Sequence, residues 1–247
     1  MKSTRMRLAV SVVTALVVFA AGFAVLADGP TAQEVLSRAR AAWQGESFHG
    51  LVELEVTQNG QTSSYRLEVW TQGEDKALLR VLAPEDQAGS GYLMDGNDLW
   101  FYSPAIGTAV KLPSIALADS VFGAGPALDD LFRSTLSQDY TVTMTTAASA
   151  YVLTLTPRPE AAVVYGHLQI NVNPDYVMEK VVYYDQRDNV LRTAHFSDDI
   201  TVDDRVIPTQ IAIVESNGDT TVERLIDPQF GVSFDASLFT VQNLETP

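Results

Sequence analysis

From Phe48 the chain alternates apolar and polar residues with a period of two, the pattern of strands with one buried face. Phe48, Val52, Leu54 and Val56 share one side, and His49, Glu53 and Glu55 the other. Asn59-Gly60 then supplies the two residues that tolerate positive φ in a tight hairpin. Beyond it, Tyr65, Leu67 and Val69 alternate with Arg66 and Glu68. The same design predicts strands at 76–83, 91–94, 99–103 and 108–112, with Asp95-Gly96-Asn97-Asp98 as a turn. Seven further strands follow at 140–144, 151–156, 166–172, 177–184, 190–196, 206–214 and 220–226. Gln169, Asn171 and Asn173 oppose Leu168, Ile170 and Val172, so one face is wet and the pairing reads as antiparallel.

Three segments break the alternation. Val35, Leu36, Ala39, Ala42 and Trp43 recur at helical spacing, and Thr31 with Glu34 forms a capping-box pattern. Residues 114–134 read as a helical or looped insertion, interrupted by Gly123, Gly125 and Pro126; long connections of this kind are often lids or binding loops. Residues 235–244 read as one short closing helix.

The first residues carry Lys2, Arg5 and Arg7 and then an apolar run from Leu8 to Leu26, the order of a secretory leader with cleavage expected after Ala27. An uncleaved membrane anchor is the alternative, since about 20 apolar residues span a bilayer. Without the leader, 13 basic residues face 31 acidic ones, a net charge of −18, which argues against nucleic acid as a partner. There is no cysteine, hence no disulfide, thiolate or lipidated cysteine. Residues 28–247 are long enough for one core, and a single domain is expected.

Catalytic and metal-binding patterns are missing. His49, His167 and His195 each fall in a strand, with no paired histidine and no Gly-x-Ser-x-Gly. Gly123-Ala124-Gly125-Pro126 lacks the third glycine of a dinucleotide loop. Asp198-Asp199 and Asp203-Asp204 lack the spaced ligands of a calcium loop and read as a solvated loop. No enzyme, cofactor or metal is therefore expected. Strands of an outer-membrane barrel run about ten residues; those expected here are shorter, which argues against one. A one-sided apolar sheet can close on a solid core or curl around a greasy hollow, and alternation does not separate the two.

Four stretches carry a family resemblance. Ser120-Val121-Phe122-Gly123-Ala124-Gly125-Pro126-Ala127-Leu128-Asp129-Asp130-Leu131, Tyr183-Tyr184-Asp185, Val202-Asp203-Asp204-Arg205-Val206-Ile207-Pro208-Thr209 and Ser237-Leu238-Phe239-Thr240 occur in the order found in the outer-membrane lipoprotein-sorting (LolA-like) family. The chain resembles that family from about Thr31 to Leu244. The resemblance implies a mainly β, α+β fold: a twisted, open antiparallel half-barrel of about 11–13 strands with a helical plug or lid. It also implies a periplasmic, monomeric carrier that takes acyl chains of a lipoprotein or lipid from an inner-membrane exporter of ABC or RND type to an outer-membrane acceptor. On this reading the cleft is lined by Leu54, Val56, Leu67, Val69, Trp100, Tyr102, Met144 and Leu155 from strands, with Val121, Phe122, Leu128, Leu131 and Phe132 from the lid. Arg66 and Arg80 are the candidates for an arginine that closes the lid. The alternative is an envelope-sensing or structural module that binds a protein and has a filled core.

Overall fold

The computed structural model describes residues 29–73, 75–113, 116, 139–147, 150–161, 163 and 165–246. The leader and most of the insertion lie outside these residues, so the expected lid residues Val121, Phe122, Leu128, Leu131 and Phe132 do too.

The described chain starts with α1 (Ala32–Gln44). Its capping box is complete: the Thr31 hydroxyl accepts from the Glu34 N–H, and the Glu34 carboxylate accepts from the Thr31 N–H at 2.7 Å. Those Thr31 hydrogen bonds hold the Glu34 carboxyl below its ordinary pKa. Val35, Leu36 and Ala39 form the buried stripe of the helix.

Thirteen strands follow: β1 (Ser47–Gln58), β2 (Gln61–Gln72), β3 (Lys76–Ala83), β4 (Gly91–Asp95), β5 (Asp98–Tyr102), β6 (Val110–Leu112), β7 (Tyr140–Ala147), β8 (Ala150–Pro157), β9 (His167–Val172), β10 (Met178–Tyr184), β11 (Val190–Val202), β12 (Arg205–Glu215) and β13 (Thr220–Phe230). They form one antiparallel sheet in the order β6-β5-β4-β3-β2-β1-β13-β12-β11-β10-β9-β8-β7. Two meanders, β1 to β6 and β7 to β13, are thus joined where β1 pairs with β13. The sheet ends on β6 and β7 without closing, the open half-barrel expected from the sequence.

Turn chemistry sets the hairpins. Asn59 and Gly60 adopt φ of 50° and 78° between β1 and β2, as a mirror-image turn requires. Asp203 and Asp204, at 48° and 61°, do the same between β11 and β12. Expected as part of a solvated loop, this aspartate stretch is instead a hairpin that carries β11 through Asp198 and Asp199 as far as Val202. Aspartate is one of the few residues with a side chain that enters the left-handed region readily, so a two-residue turn forms without glycine.

Strand length also differs from expectation. Strands β1, β2, β11, β12 and β13 have 12, 12, 13, 11 and 11 residues, so length does not separate this sheet from a membrane barrel. Among the described residues its open order does, because unpaired backbone at a sheet edge is not tolerated in lipid. The expected single closing helix is two pieces, a 3-10 turn (Ala236–Phe239) and α2 (Val241–Leu244). Thr240 is extended between them and caps α2 by accepting from the Asn243 N–H, which forces the break.

Candidate functional site

Residues directly opposite each other on antiparallel strands share a face, so the register traces each side of the sheet. One line runs Ser63, Val56, Thr221, Ile213, Ala194, Val181, Ile170, Leu153, Met144, crossing from β2 to β7. A second, on the same face, runs Tyr65, Leu54, Glu223, Ile211, Phe196. A third runs Tyr92, Leu79, Val69, Gly50. Helix α1 packs on this face, hereafter the inner face, through Val35, Leu36 and Ala39.

Two apolar clusters occupy the inner face. One is built on Leu54, Val56, Leu67, Val69, Leu79 and Met94, with Ala116 packed against it from beyond the strands. The other combines the α1 stripe with Leu153, Leu155, Leu168, Ile170 and Val181, and takes in Met144 at its margin. Six expected cleft residues therefore meet on one side: Leu54, Val56, Leu67, Val69, Met144 and Leu155.

Trp100 and Tyr102 are not among them. The line Trp70, Leu78, Leu93, Trp100 lies on the outer face, where Phe239 and Leu244 of the C-terminal pieces cover it. Alternation could not assign them, since Leu99, Trp100, Phe101 and Tyr102 form an unbroken apolar run and both faces of β5 are covered. Gly91 lets the cover approach: a Cβ there would meet Leu244 at 3.2 Å and the Leu79 carbonyl at 2.5 Å. Arg80 also belongs to this outer layer and donates to the carbonyls of Asn243, Leu244 and Thr246; burial lowers its pKa. Arg66 is exposed and precedes inward-facing Leu67 by one residue, so it lies on the outer face as well.

Sequence reasoning missed two inner-face charges. Arg192, 6% exposed, donates to the Tyr165 hydroxyl and lies over the Tyr165 and Tyr183 rings at 5.3 and 4.3 Å. Glu223, 8% exposed, stands between Leu54 and Ile211. Both occupy inward positions of their strands, but apolar Leu191 and Val222 stand beside them on the opposite parity, so alternation in the sequence did not show which way the charges face.

Arginines tie α1 over the sheet. Arg38 donates to the Tyr176 hydroxyl at 2.8 Å and lies over its ring, and Arg205 donates to the Ala41 carbonyl at 3.0 Å near the C-terminal end of the helix. Trp43 meets Phe196 edge-on at 6.0 Å. Among the described residues no group of three or more His, Cys, Asp or Glu is placed to hold a metal, and no helix is long and apolar enough to cross a membrane.

A protein family described only as uncharacterized matches residues 73–246. No curated relative matches the chain. Among solved structures, the chain is similar to a LolA superfamily protein from Nitrosomonas europaea (22% identity, TM-score 0.73, covering 85% of this chain and 98% of that one). A putative outer membrane lipoprotein-sorting protein domain from Vibrio parahaemolyticus matches at 20% identity and TM-score 0.75, covering 86% and 97%. A DUF1329 family protein from Desulfovibrio piger ATCC 29098 matches at 17% identity and TM-score 0.77, covering 85% and 96%.

Proposed function

The chain belongs to the family matched over residues 73–246 and has the LolA-superfamily fold, and on that premise we propose that it is a periplasmic carrier of acyl chains. The supporting observation is the inner face itself: apolar residues line it from β2 to β7, with α1 laid across part of it. Removing one methylene from water is worth about 0.8 kcal/mol, so an acyl chain supplies on the order of 10 kcal/mol before ordering costs. Binding of that strength requires no covalent chemistry, and the carrier acts without catalysis.

On this reading the leader directs export and the acidic mature chain stays in solution between loading from an inner-membrane exporter and delivery to an outer-membrane acceptor. The cargo is a lipoprotein or a lipid. A second reading, a protein-binding module with a filled core, draws on the 0–1% exposure of Leu54, Leu67 and Leu79. Native mass spectrometry of protein isolated from the cell envelope separates the two. The carrier shows adducts of lipid mass that organic extraction removes and added lipid restores; protein that is bare as isolated and takes up no lipid supports the filled core.

A further inference from the structure

Resting on the carrier reading, we propose that Glu223, with Thr221 beside it, selects cargo whose acyl chain hangs from a hydrogen-bond donor: an amide N–H, a hydroxyl or an ammonium. Glu223 is the only buried acid among the described residues, and it faces the same way as the leucines and valines that line the proposed cleft. Its cross-strand neighbours are Leu54 on β1 and Ile211 on β12, with half-buried Tyr65 and Phe196 beyond them. Two residues earlier on β13, Thr221 is 2% exposed between Val56 and Ile213.

This polar pair sits at the junction of the two apolar clusters, where the meanders meet. A wall made only for hydrocarbon is weakened by a carboxylate, because desolvating the charge is costly. Valine or leucine at the same position would hold an alkyl chain better. Placed here, the carboxylate marks where the polar part of a cargo comes to rest, with apolar surface to either side for its chains.

The sign of the charge sets the chemistry. A carboxylate accepts hydrogen bonds from donors and repels anionic heads such as a fatty-acid carboxylate. Glu223 is already engaged within the fold, and a carboxylate has about four acceptor positions, so a cargo donor adds to the existing contact. The Thr221 hydroxyl supplies a second acceptor or donor on the same strand.

The test uses the mature full-length chain loaded with the neutral fluorophore N-phenyl-1-naphthylamine, displaced by palmitoyl ethanolamide or by palmitic acid at about pH 8, where palmitate is ionised. Wild type is expected to favour the ethanolamide by about tenfold or more. Glu223→Leu brings the two within about twofold, and Glu223→Gln, which keeps an acceptor but loses the charge, cuts the preference by about threefold or more. Circular dichroism confirms the fold of each variant, and Gln decides the matter if Leu does not fold. Equal displacement by both amphiphiles from wild type, or an unchanged preference in the folded variants, overturns the role of Glu223 and leaves the carrier reading standing. Failure of both amphiphiles to displace the fluorophore from wild type overturns both.

Discussion

Leu67, Leu78 and Leu79 are fully buried, yet they serve two faces: Leu67 and Leu79 the inner cluster, Leu78 the layer under the C-terminal pieces. Leu79→Ala is expected to cost about 2–5 kcal/mol in urea denaturation, through lost burial and the cavity left behind. Surface carboxylates give a separate, pH-dependent contribution. Asp185 accepts from the Asn189 side chain first, and from the backbone N–H groups of Asn189 and Arg187, which lowers its pKa. Its stabilisation is therefore complete above the unfolded value, about 4, and is lost as pH falls through the lower folded value. Asp185→Asn should flatten the fall in Tm between about pH 5 and pH 2 relative to wild type; identical profiles would contradict this. At this scale the sequence exposed the inward leucines and valines but hid Arg192 and Glu223. A charged residue reads as solvent-facing until strand parity is fixed by its neighbours, and that parity was clear around Leu54 and Val56 but not around the charges.

Each strand expected from alternation is present, because period two is imposed by the pleat wherever one face is buried. The departures have local causes. In β11 and β12, Asp198, Asp199, Asp203 and Asp204 break the apolar pattern while the backbone pairing continues to Val202 and Arg205. In β5 both faces are covered, so its apolar run carries no parity and Trp100 and Tyr102 could not be placed. Near the C-terminus, Thr240 serves as a cap and splits one expected helix into two. The β9–β10 hairpin depends on close backbone approach at Gly166, where a Cβ would lie 2.1 Å from the Asp185 carbonyl. Gly166→Ala should therefore destabilise the fold by about 1–3 kcal/mol in equilibrium unfolding. A neutral result would mean that the two segments can separate freely.

Across the molecule, the pairing of β1 with β13 turns two meanders into one thirteen-stranded sheet, and it also makes one inner face out of two apolar clusters. That long-range pairing was not legible in local pattern, since any antiparallel arrangement of these strands satisfies the same alternation. The family resemblance supplied the open half-barrel, and the register then showed which side of the sheet carries six of the residues expected to line a cleft. The proposed carrier role rests on an inner face that is largely apolar apart from Arg192, Thr221 and Glu223, with α1 packed across part of it and tied to Tyr176 and Arg205.

The measurement closest to that claim is photo-crosslinking with a palmitoyl chain carrying a diazirine, followed by peptide mapping. Labels are predicted on inner-face strand residues such as Leu54, Leu67, Val69, Met144 and Leu155, and competition with unlabelled palmitoyl lipid should remove them. Labelling confined to the outer face around Trp100 and Tyr102, or none that unlabelled lipid displaces, would contradict the account.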